Sequence, residues 1–262
     1  MSLGIWLLVI AAGAVGQFVD AAVGMGFGVL ASSFMIAAGV SPAVVVATVN
    51  LAKVGNGLFS AVSHAGLGNV RWRWVLPLAL PGIVGAVLGA LVLVRMLSDM
   101  AKLAVPVLLL GMGLALLVRF GRKAQPPDEE PEADGDDAAP QSWIPIAIIG
   151  FLGGAINAMT GGYGPFTTSS LLLVRGGHPR HAIGTVNMVE FLVAGAAAVT
   201  LLVHLDASVF AWQLPVALLI GGLLTSLPGA YVAKHLSPRV LGVGVGCSLL
   251  ILNAWAISRH LL

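Results

Sequence analysis

One motif occurs twice in this chain of 262 residues. Gly13, Gly16, Asp20 and Gly24 recur 137 positions later as Gly150, Gly153, Asn157 and Gly161. The same offset carries Ser32-Ser33 onto Ser169-Ser170, Gly39 and Pro42 onto Gly176 and Pro179, and Thr48-Val49-Asn50 onto Thr185-Val186-Asn187. No gap separates these landmarks. A hydrophobic chain built from two copies of one unit reads first as a transport protein, with its site where the copies meet.

Composition sets the solvent. The chain is 58% hydrophobic and 9% charged, whereas a soluble domain carries about 25% charged residues. Its long apolar runs exceed the roughly 20 residues that span a bilayer, so the expected partner is lipid and the expected class is an all-α integral membrane protein. Ten apolar segments are predicted, near 4–23, 26–38, 42–64, 74–94, 100–118, 143–160, 163–174, 181–204, 211–233 and 240–258. Residues Met1 to Gln17 lack a basic leader and run straight into the motif, so they read as a first span rather than a signal peptide. The single cysteine, Cys247, excludes an intramolecular disulfide. The second and seventh segments are short and rich in Gly, Ser or Thr, and are expected to be broken or re-entrant near the midplane.

The charges are segregated. Seven of the eleven acids fall in a Pro-rich stretch at 121–142, which reads as a solvated cytoplasmic linker between a first membrane repeat (1–120) and a second (143–262). If every segment crosses, the loops bearing Arg71 and Arg73, Arg119 with Arg122 and Lys123, Arg175 and Arg180, and Lys234 and Arg239 share one side. Positive loops mark that side as the cytoplasm. Corresponding loops of the two copies carry opposite charge bias, which predicts repeats of inverted topology, five segments each. This inference assumes that the short segments cross.

Three ionisable groups remain inside apolar segments: Asp20, Lys53 and Glu190. Such groups are costly in hydrocarbon and usually face a cavity or a partner. Lys53 and Glu190 hold equivalent positions, in Thr48-Val-Asn-Leu-Ala-Lys53 and Thr185-Val-Asn-Met-Val-Glu190. Each lies one helical turn after an asparagine, Asn50 or Asn187. The pair reads equally as a structural ion pair or as a proton-coupling device, with Asp20 as a second coupling candidate. His64 and His204 follow on the same helices and read as interfacial residues. The glycine-rich stretches offer Gly24, Gly26 and Gly28 in one copy and Gly161, Gly162, Tyr163 and Gly164 in the other. Such loops expose backbone amides, and a helix starting after them points its positive end inward, which favours an anion. Close helix crossing explains the same glycines without any ligand.

At these residues the chain resembles the TauE/SafE-type sulfite exporter family. The resemblance covers both halves and rests on Gly16…Asp20…Gly24-Met-Gly-Phe-Gly28, on Thr48-Val-Asn50, and on their weaker second copies. It implies two homologous halves in the cytoplasmic membrane and export of sulfite, organosulfonates or related small sulfur anions. The second copy departs from the pattern at Asn157, in place of Asp20, and at Pro165, which closes the glycine stretch, so the halves are expected to have unequal roles. Site residues expected for the anion are Gly24, Gly26, Gly28, Asn50, Lys53, Gly161, Gly162, Tyr163, Gly164 and Asn187. No metal, cofactor or nucleic acid is expected, no catalytic residues are assigned, and a homo-oligomer is left open. The competing reading is a proton or cation carrier that uses Asp20 and Glu190. An intramembrane enzyme is disfavoured because no nucleophile-elbow motif appears.

Overall fold

The computed structural model describes residues 3–23, 25–121, 142–175, 179–205, 210–233 and 238–261. They form ten helices: α1 (Leu3–Val23), α2 (Phe27–Ala37), α3 (Pro42–Gly66), α4 (Trp72–Arg95), α5 (Ser98–Gly121), α6 (Ile144–Thr160), α7 (Gly164–Arg175), α8 (Pro179–His204), α9 (Gln213–Ala233) and α10 (Pro238–Leu261). Their bounds lie within a few residues of the apolar segments, because hydropathy and helix length are local properties. The stretch read as an acidic linker falls almost wholly outside the described residues. Among the described residues, five helices are long and apolar enough to cross a membrane: α3, α4, α5, α8 and α10.

The surface is that of a protein solvated by lipid. Along α4, Leu76, Leu80, Val84, Leu88 and Val92 are exposed at four-residue spacing, between 48% at Leu88 and 65% at Leu76, while Leu78, Ala86, Ala90 and Leu93 behind them are buried. An apolar stripe exposed along the whole length of a helix is stable only against hydrocarbon. Exposed tryptophans stand near the helix ends, at Trp72, Trp143 and Trp212, where an amphipathic ring suits the membrane interface.

Packing settles what the short helices do. On α4 and α6, Leu78 lies beside Gly150 and Gly82 beside Gly154, and Gly85 lies beside Phe151 and Gly89 beside Ala155. Four residues further along one helix is four further along the other, so α4 and α6 run parallel. The same holds for α1 and α9: Ile10 meets Gly221, Gly13 meets Leu218, Gln17 meets Gly222 and the Thr225 hydroxyl donates to the Ala14 carbonyl. By contrast α3 and α8 are antiparallel, with Val54 near Gly195, Gly57 near Phe191 and Asn69 near Gly184.

Two ends of the bundle follow from these contacts. At one end the α2–α3 turn, Lys102 of α5 and Arg259 and His260 of α10 line one small cavity. At the other, the Arg71 amide donates to Thr185 at the start of α8 and the Arg239 guanidinium donates to the Gly121 carbonyl. Helix α1 starts at the Lys102 end, as α9 does, and α2 returns there, where the Ala37 carbonyl accepts from Arg259. Helix α6 starts at the Arg119 end with α4, and α7 leads back to it before α8. Each short helix therefore closes a hairpin that dips into the bundle and returns. Because both members of each pair turn back, the cation-bearing loops keep the side they would have if every segment crossed. A hairpin that enters and returns, like a pair of crossings, leaves the chain on the face where it began.

Candidate functional site

The tips of the two hairpins meet deep in the bundle. Gly161 ends α6 with φ +77, the left-handed conformation that lets the chain reverse towards α7, and its amide donates to the Asn157 carbonyl at 2.7 Å. Gly28, in the first turn of α2, lies so close to the Gly161 carbonyl that a Cβ on Gly28 would overlap it. Glycine at 28 allows the two backbones this approach, and at 161 glycine meets both the left-handed torsion and the closeness of the Ser32 hydroxyl.

Against this junction α3 presents Asn50 and Lys53, one turn apart and both buried. The Lys53 ammonium donates to Asn157 Oδ1 at 3.0 Å and to the Gly161 carbonyl at 2.7 Å, and it forms an ion pair with Glu190 of α8. Three donors thus have three acceptors, which is the full capacity of an ammonium group. Asn157 in turn donates to Asn50 Oδ1 at 2.7 Å, and Asn50 donates to the Val46 carbonyl at 2.9 Å. The cluster joins α3, α6 and α8. Burying an isolated charge this deep would be prohibitive, and the paired, hydrogen-bonded arrangement is what makes it tolerable.

Beside the cluster stands the buried hydroxyl of Ser32 of α2, which no group in the described residues satisfies. Ser32 lies directly beside Gly161. Orphaned buried polar groups call for a water or a ligand. The N-termini of α2 and α7 also end here, and their first-turn amides, such as those of Gly28 and Gly164, have no partner within the helix.

Several expected residues have other duties. Asp20 accepts from the Gly26 amide at 2.8 Å and the Phe27 amide at 3.2 Å, so its carboxylate caps α2 and takes up the Gly26 amide expected for an anion. The Gly162 amide donates to Thr160 Oγ1 at 3.1 Å, and Gly161 contributes its carbonyl to Lys53. The Tyr163 ring packs against Gly153 of α6, with its hydroxyl beside Gly82 of α4. Asn187 is half-buried on α8, one turn before Glu190. Gly24 lies outside the described residues. His64 pairs with Asn69 and His204 with the Thr200 carbonyl, each at a helix end. The residue that sequence reasoning left off the list is Asn157. Its signal was the departure of the second copy from Asp20, since an amide can both accept from Lys53 and donate to Asn50 where a carboxylate could only accept.

Replacing Asp20 by asparagine is expected to change stability little, because an amide oxygen can accept the same Gly26 and Phe27 amides and caps about as well as a carboxylate, and to leave transport in place. Thermal unfolding and flux of Asp20→Asn in the same preparation check both statements.

Lipid-facing stripes, two hairpins that reach only part-way and a charged cluster where they meet define a membrane transporter. The chain belongs to the sulfite exporter TauE/SafE family, whose model matches residues 9–255. It is 35% identical over 242 residues to the probable membrane transporter protein YtnM of Bacillus subtilis (strain 168), covering 92% of this chain and 79% of the relative. No solved structure matches it. The family is one of transporters, not of enzymes.

Proposed function

We propose that the protein is a secondary carrier, working as an exporter, for small sulfur-containing oxyanions such as sulfite or organosulfonates. It acts in the cytoplasmic membrane by alternating access between two inverted, pseudo-symmetric halves, 1–120 and 143–262. The motif repeated at a constant offset supports two halves, and hairpins that enter from opposite ends support the inversion. The cation-bearing end, with Arg71, Arg73, Arg119 and Arg239, is the cytoplasmic one by the bias of positive loops.

The observation that carries this reading is the saturated Lys53 ammonium near the orphaned Ser32 hydroxyl and two helix N-termini. An arriving oxyanion must replace one of the three acceptors on Lys53. Glu190 is the acceptor that a proton can neutralise. A proton on Glu190 loosens its hold and frees one N–H for the anion, so the two ligands favour each other and the buried charge stays balanced. Asn50, Asn157 and Asn187, with the amides of Gly28 and Gly164, complete the shell. Net flow follows the gradients of anion and proton together, outward where the cell generates the anion. A cation site built on Asp20 and Glu190 is disfavoured, because one carboxylate caps α2 and the other holds Lys53.

Sulfite counterflow in proteoliposomes, with sulfoacetate, thiosulfate and sulfate as competitors, tests the reading. Saturable, selective exchange is expected; no exchange of any of these anions by folded, inserted protein would sink it. Acidifying the loading side should accelerate exchange in the wild type. Glu190→Gln mimics the protonated form, so its exchange is expected to lose that pH dependence. If Asp20→Asn flattens the profile instead, the coupling role moves to Asp20.

A further inference from the structure

The two hairpins differ in how their returning helices meet the neighbouring long helix. Helix α2 is closed against α10: Asn253 donates to the buried Ser33 hydroxyl at 2.8 Å, and Arg259 reaches the Ala37 carbonyl. Ser170, which the repeat offset places in register with Ser33, has no such neighbour. It lines a cavity of about 1030 Å³ that parts α7 from α5. One seam is shut and its counterpart is open.

The open seam has direction. Its outer end carries Arg119, whose guanidinium donates to Ser169, at the end of the bundle with the positive loops. Its inner end is formed by Met112, Ile156 and Pro165. Met112 lies against Gly162 and receives the Thr160 hydroxyl on its sulfur at 3.9 Å. Gly162 follows Gly161, whose carbonyl holds Lys53. Met112, an unbranched and pliable side chain, thus lies between the inner end of the cavity and the Gly161–Gly162 backbone that carries the Lys53 acceptor. The smaller cavity at the opposite end, about 210 Å³, is lined by Lys102, Arg259 and His260 and stops at the closed α2–α10 seam.

We propose that the α5–α7 cavity is the vestibule through which the transported anion reaches Lys53, with Arg119 as its receiving cation and Met112 as its inner plug. The structure is then the state open at the Arg119 end. The opposite state closes α7 onto α5 and parts α2 from α10, breaking the Asn253–Ser33 bond and opening a path to Lys102 and Arg259. Exchange of conformation between two pseudo-symmetric halves around a fixed site is the general route to alternating access. Arg119 is a recruiting residue: it raises the local anion concentration without touching the Lys53 cluster. The inference rests on the anion-carrier reading.

Two measurements test it in a Cys247→Ser background, which removes the exposed native thiol. In the first, Ser170→Cys and Ser33→Cys are treated with an anionic, membrane-impermeant thiosulfonate without substrate. Ser170→Cys is expected to react readily and to be slowed by sulfoacetate, which is not a thiol-reactive anion, while Ser33→Cys resists. In the second, Arg119→Gln is expected to raise the KM for sulfite about tenfold, the lower bound of electrostatic focusing, with kcat kept, and Arg119→Lys to restore most of the loss. Reaction of Ser170→Cys only with a lipid-soluble maleimide would mean that acyl chains fill the groove, and would overturn the proposal. So would an unchanged KM in Arg119→Gln. If no sulfur anion is carried at all, the contrast between the two cysteines still reports which seam is open, so failure of the substrate reading is distinguishable from failure of the vestibule.

Discussion

Lys53→Ala is expected to abolish transport and to destabilise the protein by about 3–5 kcal/mol, the usual cost of removing one member of a buried pair. The loss exceeds that of the Lys53 contacts themselves. Glu190 would be left without its counter-charge, and Asn157 Oδ1 and the Gly161 carbonyl would each lose a donor. Glu190→Ala alone should be similarly costly, because it strands the ammonium. The double variant Lys53→Ala/Glu190→Ala should be more stable than either single change and still inactive. Denaturation of the three variants in one detergent, beside counterflow, separates the two roles. Normal transport in Lys53→Ala would remove the residue from the site.

Gly28→Ala is expected to be almost as severe, for a steric reason. The added methyl group would overlap the Gly161 carbonyl and press on Lys53 Cε at 2.9 Å. Backbone cannot yield as a side-chain tip can, so the hairpin tips must separate. Overpacking of this kind costs about 1–3 kcal/mol in ordinary cores, and here it also pulls the Gly161 carbonyl off Lys53. Near-complete loss of flux is expected, with a thermal midpoint several degrees lower. Gly66→Ala serves as the control, since nothing lies within 4 Å of a Cβ there. Equal effects at both positions would show that helix propensity, not the meeting of the tips, is responsible.

Much of the molecule is legible along the chain. Hydropathy marks the ten helices, because each must present an apolar surface to lipid or to its neighbours over its own length. The charges that matter stand out for the same reason: Lys53, Asp20 and Glu190 are the groups whose positions hydrocarbon alone would forbid. The duplicated Thr-Val-Asn stretch puts Lys53 and Glu190 at matching places, and in the structure they form an ion pair.

The roles of Asp20 and Asn157 could not be read that way. In the sequence they are one position of one motif. In the structure Asp20 turns to the amides of the next helix, only six and seven residues on, whereas Asn157 reaches Lys53 and Asn50 more than a hundred residues away. Nor could Gly161 be seen as an acceptor, since a glycine-rich loop offers amides and carbonyls alike until its torsion angles are set.

The sequence by itself determined the membrane solvent, the number and extent of the helices, the recurrence of the motif and the identity of the intramembrane charges, because these depend on composition and on short patterns along the chain. The tertiary structure alone decided that the short segments return, that their tips meet at Gly28 and Gly161, and that Asn253 bonds Ser33 across α10 and α2. Those outcomes depend on how near-rigid helices pack against one another, through glycine contacts and single hydrogen bonds between residues far apart in the chain, and no local pattern carries that information.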